Sequence, residues 1–237
     1  MRQSILAILL VPALVAGETP ARHAAPSAPS ILRFDPVAFK KPAHNLFFPT
    51  RSGTTYIYAT KGWDGSNLDT VIVTRETKNI LGVSAVAVID REAHNSSLTE
   101  DTVDWYAGDA SGNVWYLGEE TRELRSGKVV STAASWEAGK DQAHAGIIME
   151  AIPMIGDKYR EEYRPGVAEH MARVISLGED VSTPHGAFNR CVEIEEWSPL
   201  EPNARERKYY APNVGLVMRR NMASGGGETV LVKLIAR

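Results

Sequence analysis

The sequence predicts a single, mainly β domain: a curved antiparallel sheet or half-barrel with one or two helices or loops covering its concave side. From Thr54 onward the chain is a succession of short runs rich in Val, Ile, Thr, Tyr and Trp, separated by Gly, Asn, Asp and Pro. Those are the residues that suit a pleated surface and its turns. Most connections are short, so neighbouring strands are expected to pair antiparallel in a meander. Within the run Val83 to Ile89, Val83, Ala85, Ala87 and Ile89 point one way while Val86 and Val88 point the other. A strand apolar on both faces must be covered on both.

Before the sheet comes a leader. Arg2 supplies a positive start, Ile5 to Val15 is apolar, and Val15-Ala16-Gly17 offers a small-residue cleavage site. This is the layout of a bacterial secretory signal peptide, too short to span a membrane. Glu18 stands where a lipoprotein would carry cysteine, so the product is expected to be periplasmic or secreted and not membrane-anchored. Residues 1–17 are read as the signal peptide. Residues 18–30, with Pro20, Pro26 and Pro29, form a flexible tether. Residues 31–237 form one β-rich domain, and the roughly 220 residues left after cleavage suffice for one well-packed core. It enters through an irregular segment anchored by Leu46, Phe47 and Phe48.

Strands are expected over Thr55–Lys61, Thr70–Thr77, Gly82–Arg91, Thr102–Gly108, Val114–Gly118, Val129–Trp136, Tyr159–Tyr163, Arg190–Trp197, Arg207–Tyr210, Gly215–Arg220 and Thr229–Ile235. Gly108 to Asn113 reads as a hairpin link, and Gly225-Gly226-Gly227 as another. Gly166–Leu177 fits helical spacing through Val167, Met171, Val174 and Ile175, and also fits a mixed strand. Glu193 and Glu195 share one strand face and Arg205, Arg207 and Tyr209 share the next, so cross-strand ion pairs should fix that hairpin's register.

Net charge is −3, so no nucleic-acid partner is implied. The single cysteine, Cys191, excludes an internal disulfide and reads as a small apolar strand residue. The six histidines lack the spacing of a zinc site, and neither a metal nor a cofactor is expected. Asp109, Ser111 and Asn113 have the first spacings of a calcium loop, but Val114 replaces the required glycine, so a hairpin turn is the better account. Glu100, Asp101 and Asp104 read as a charged approach to a strand, and adjacent Glu169 and His170 point apart.

Two sets of candidate site residues remain. Trp105, Tyr106, Trp115, Tyr116 and Trp136 sit in strands; in each Trp-Tyr pair the neighbours face opposite sides, so each pair feeds both core and concave face. They are the candidate ligand-binding residues, although core packing explains them equally well. Glu137, Asp141 and His144 lie in one Gly-containing loop and are the weak candidates for acid–base catalysis, against the plainer reading of a solvated loop.

Two further segments carry a resemblance. Val181-Ser182-Thr183-Pro184-His185-Gly186-Ala187-Phe188 and Lys208-Tyr209-Tyr210-Ala211-Pro212-Asn213-Val214-Gly215-Leu216-Val217 are similar to a recurring pair in exported bacterial proteins of unknown function. Those proteins resemble the periplasmic lipoprotein-carrier superfamily. The resemblance implies a strongly curved antiparallel sheet wrapped around a hydrophobic cavity, favours strand for Gly166–Leu177, and carries over no catalytic residues. Asn213 stands where the pattern has glycine, and Asn tolerates the same positive φ. Gly186 and Gly215 are expected where a side chain would clash or force a disfavoured φ. The first functional expectation is an exported protein that binds an apolar small molecule or lipid, or an envelope accessory factor. The alternatives are an exported enzyme using Glu137, Asp141 and His144, and a structural envelope protein. No protein partner is indicated.

Overall fold

Two antiparallel meanders, one from each half of the chain, make the fold. The computed structural model describes residues 32–61, 66–223 and 226–236, so the leader, the tether and part of the Gly225-Gly226-Gly227 link lie outside the described residues. The first meander comprises β1 (Thr55–Lys61), β2 (Ser66–Ile80), β3 (Val83–His94), β4 (Ser97–Gly108) and β5 (Val114–Arg125). Short pieces follow: β6 (Lys128–Ser131), β7 (Trp136–Glu137), β8 (His144–Met149), β9 (Lys158–Arg160) and β10 (Glu162–Tyr163). The second meander comprises β11 (Met171–Thr183), β12 (Gly186–Ser198), β13 (Glu201–Ala211), β14 (Gly215–Asn221) and β15 (Glu228–Ile235). Antiparallel pairing of β1 with β15 joins the two into one open sheet, ordered β10-β8-β5-β4-β3-β2-β1-β15-β14-β13-β12-β11-β9, with β6 and β7 added on β5.

The two edges of this sheet are consecutive pieces of chain. β9 pairs with β11, β10 pairs with β8, and Glu161 alone separates β9 from β10. β8 passes this seam so closely that a Cβ on Gly146 would meet backbone atoms of Arg160 and Glu161, so only glycine fits there. Register slips bend the long strands, at Val73/Thr77 between β2 and β3 and at Trp105/Tyr106 between β4 and β5. Each inserts extra chain on one side of a pair and sharpens the local twist.

The antiparallel sheet matches the expected architecture, and β1 has the expected bounds. Two elements differ. β8 was not expected as a strand, because only Ile147-Ile148-Met149 is apolar and a glycine-containing loop precedes it. The 166–177 region divides: Arg164 and Ala168 close a turn, and from Met171 the chain is strand.

The covering helices are a correction. Among the described residues there is no α-helix; the cover is an extended segment over 32–50 with a single 3-10 turn at Pro36–Phe39. Pro36, Pro42 and Pro49 interrupt any longer helical ladder. Phe34 and Phe39 pack edge-on against Trp115 on the convex face, with ring centroids 5.4 and 6.0 Å away. The chain then crosses the rim, and Phe48 reaches Tyr106 (5.1 Å) and Tyr210 (6.3 Å) on the concave side. Buried Asn45 fastens this crossing. Its Oδ1 accepts from the Phe47 and Phe48 amides, and its Nδ2 donates to the Gly112 and Glu150 carbonyls.

The second signature segment serves the same join. Asn213 has φ +63° and its amide donates to the Leu46 carbonyl at 2.7 Å. Gly215 has φ +102°, and a Cβ there would lie 3.4 Å from Pro49. The expectation for Gly186 is corrected: it has no positive φ, and a Cβ would meet nothing within 4 Å. The charged hairpin has the expected register, with Glu195 opposite Arg207 and Glu193 opposite Tyr209. Arg207 bridges to Glu193 at 2.7 Å, and Arg173 and Arg205 reach Glu195 at 2.8 and 3.3 Å.

Candidate functional site

Alternate residues of the strands face the concave side, and there they enclose two connected chambers. The upper chamber, about 160 Å³, is lined by Phe48, Tyr56, Tyr58, Val71, Val73, Val88, Tyr106, Tyr210 and Leu216, together with Asp69, Asp90, Asp104, Lys208 and Arg219. The lower chamber, about 350 Å³, shares Tyr106, Ile148 and Lys208 with it and adds Tyr116, Glu161, Glu162, His170, Glu196, Trp197 and Glu206. The Tyr56 and Tyr58 hydroxyls donate to the Val214 and Leu216 carbonyls, each at 3.0 Å. The interior therefore sets aromatic and apolar side chains beside carboxyls in both chambers.

The acids fall into four groups. Asp69, at the inward face of β2, pairs with Arg219 at 3.1 Å, and the same guanidinium nitrogen reaches Glu92 at 3.1 Å. Asp90 faces Asp69; burial first, and then the neighbouring Asp69 carboxylate, push Asp90 well above the usual carboxylate range. Two carboxyls in one site hold a proton between them because both cannot ionise cheaply. A second group centres on Tyr116, whose hydroxyl lies 2.5 Å from Asp104 and 2.9 Å from Glu119. Burial pushes Asp104 up to about 7 and Glu119 up to about 8, with the Tyr116 bond opposing both shifts. In the third, Lys208 pairs with Glu196 at 2.5 Å, and Glu161 beside them is pushed well up by burial and then by Glu196. In the fourth, Glu162 hydrogen-bonds His170 and raises its pKa against the opposing effect of burial.

Backbone irregularity creates the second group. Tyr116 and Glu119 are three residues apart, which in a regular strand would place them on opposite faces. The register slip that pairs Trp105 with Gly118 but Tyr106 with Tyr116, with Gly118 at φ +148°, brings both inward. Gly118 is required there, since a Cβ would meet the Trp136 carbonyl oxygen at 2.5 Å.

Of the five candidate aromatics, Tyr106 and Tyr116 line the chambers, stacked with centroids 4.8 Å apart. Trp136 backs Tyr116 edge-on at 5.2 Å. Trp105 and Trp115 face the other side. Lys78 lies 4.9 Å over the Trp105 ring. Buried Trp115 donates to Asp109 at 2.9 Å and helps line a convex-side pocket of about 580 Å³ with Phe34, Leu81, His144 and Arg160. Asp109 also accepts from the Ser111 and Asn113 amides, which makes this turn a self-satisfied hairpin.

Glu137, Asp141 and His144 are each engaged separately. Burial acts to raise Glu137, but Lys78 and Lys140, both at 2.9 Å, outweigh it and hold the carboxyl below its ordinary range. Asp141 is exposed and pairs with Arg164 at 3.5 Å. His144 stacks on Tyr163 at 5.8 Å. Cys191 is buried in β12, and burial pushes its thiol up to about 11. Among the described residues no group of three or more His, Cys, Asp or Glu is placed to hold a metal ion, and no helix is long and apolar enough to cross a membrane.

Sequence reasoning missed the interior acids Asp69, Asp90, Glu119, Glu161, Glu162 and Glu196, and treated Asp104 as part of a loop. The usable signal was alternation: Asp69, Val71 and Val73 share one face, as do Val88 and Asp90, so a carboxyl falls in step with core residues.

No protein-family model matches the chain, and no curated protein aligns with it. Two solved structures are similar in outline. One is a Bacteroides fragilis protein classed provisionally as exported, with a YmcC-like fold: 18% identity, TM-score 0.49, covering 81% of this chain and 100% of that one. The other is a provisional lipoprotein from Parabacteroides distasonis: 14% identity, TM-score 0.45, with the same coverage.

Proposed function

We propose that this is an exported binding protein that holds an amphipathic small molecule on the concave side of its sheet. The leader over residues 1–17 supports export to the periplasm or medium. The observation that carries the binding reading is the pair of connected chambers. Nearly every long strand contributes to them, and their lining sets Phe48, Val71, Val88 and Leu216 close beside carboxyls. A filled core has no use for buried acids, each of which costs free energy unless something satisfies it. The expected apolar ligand is thereby narrowed to one with an apolar body and a polar end. Glu137, Asp141 and His144 each engage a different partner, which favours the binding reading over the enzyme alternative.

Native mass spectrometry of protein isolated from periplasm tests this. The expected result is a small-molecule adduct lost on denaturation, together with saturable binding of a hydrophobic fluorescent probe. Substituting Val88 by Trp, which fills the upper chamber, should weaken probe binding. Trp115→Ala should leave the affinity of the folded protein unchanged, since Trp115 lies on the convex side. No adduct and no saturable binding would overturn the reading.

A further inference from the structure

We propose that the polar end of the ligand is an organic cation, an ammonium group seated in the lower chamber against Glu161, Glu196 and Glu162. This rests on reading the concave interior as a ligand site, and it specifies what that site recognises.

Three observations converge. Eight carboxyl groups line the two chambers against four basic side chains. Of those bases, Lys208 and Arg219 are already committed, to Glu196 and to Asp69 with Glu92, so an anion would find no free partner in them. Second, buried carboxylate oxygens here lack hydrogen-bond donors. Glu161 is 3% exposed and Glu196 7%, and one oxygen of each, Oε1, finds no donor; the same holds for Oδ1 of Asp69. A buried acceptor without a donor is costly, and an ammonium group offers donors only. Third, the rings of Tyr106 and Tyr116 line the same chamber, and aromatic rings attract desolvated cations. A divalent metal ion does not fit, because the described carboxyls are not grouped to coordinate one. An organic cation needs no such coordination sphere, and its tail would extend toward the Tyr56, Val71 and Val88 side of the upper chamber.

In the free protein, burial and then Glu196 push Glu161 well above the usual carboxylate range, with Glu162 adding to the same effect and Lys208 opposing it. The hydroxyl of Tyr159, from β9, is also close enough to feel the Glu161 charge. An arriving ammonium would favour the ionised form, so Glu161 releases its proton to solvent as the cation binds.

Calorimetric titration with octylammonium, octanol and octanoate at pH 7 tests this. The three probes share one tail and differ in headgroup charge. Octylammonium should bind at least tenfold more tightly than octanol, and octanoate most weakly. The heat of octylammonium binding should vary with the ionisation heat of the buffer, as proton release requires. In Glu161→Gln the amide has the shape of the neutral acid and cannot ionise. That variant should lose most of the preference for octylammonium over octanol. Should it fail to fold, the wild-type ranking and proton release decide alone. Equal affinity for octanol and octylammonium, a preference for octanoate, or an unchanged preference in folded Glu161→Gln would overturn the cation assignment while leaving the ligand chamber standing. Binding of none of the three would remove both.

Discussion

Replacing Asp104 by Asn keeps the shape and the hydrogen bond to Tyr116 but removes the ability to ionise, so it isolates what burial of this carboxyl costs. Burial moves its pKa from 3.8 to about 7 in the folded protein. Between those values the folded state binds a proton that the unfolded state has already released, so stability falls as pH rises across the window. One group contributes a slope of about 1.4 kcal/mol per pH unit there, and about 4 kcal/mol across the whole of it. Glu119, pushed up to about 8, acts in the same direction. So does His170, whose raised pKa means that stability present at low pH is lost as pH climbs through the folded value. The wild-type protein should therefore be more stable near pH 5 than near pH 8. Urea unfolding at half-unit steps from pH 4.5 to 8 should show Asp104→Asn gaining on wild type by about 1.4 kcal/mol per unit until about pH 7 and then levelling. Parallel curves for the two proteins would mean that Asp104 is ionised and solvated in the folded state, and the account of the interior would fail.

Three other substitutions probe the frame around the chambers. Gly215→Val forces a β-branched residue to φ +102° and presses on Pro49; it should cost about 1–3 kcal/mol in chemical unfolding. Asn45→Ala deletes four hydrogen bonds and should cost about 2–4 kcal/mol at roughly 1 kcal/mol each, with early proteolysis near the rim crossing. Trp115→Ala removes the platform for Phe34 and Phe39 and should lower stability by about 3–5 kcal/mol. A thiol reagent should label Cys191 only at the rate of global unfolding, because it is buried and its thiol is pushed up to about 11.

The meanders were legible because their turns are built from residues with local reasons to turn. Asp109, Ser111 and Asn113 satisfy one another within the hairpin, and Asn213 and Gly215 adopt the positive φ values that their residue types favour. The Glu193/Glu195 and Arg205/Arg207 alternation likewise fixed its register in advance. Elements held by distant partners were not legible. β8 is a strand because β5 and β10 flank it, and nothing in His144–Met149 announces that. The cover was open to helix or loop, and three prolines and the Asn45 hydrogen bonds make it an extended strap. The acidic interior was hidden for two reasons. Asp69 and Asp90 read as ordinary polar positions until curvature closes the face around them. Tyr116 and Glu119 share a face only because of the bulge at Gly118, which a strict period of two cannot reveal.

A crystal structure of the protein grown with octylammonium tests the central claim most directly. The account predicts the nitrogen in the lower chamber, about 3 Å from oxygens of Glu161 and Glu196, with the alkyl tail running past Tyr106 toward Val71 and Val88. An empty interior with the amine bound instead on the convex side, in the pocket beside Trp115 and His144, would contradict it.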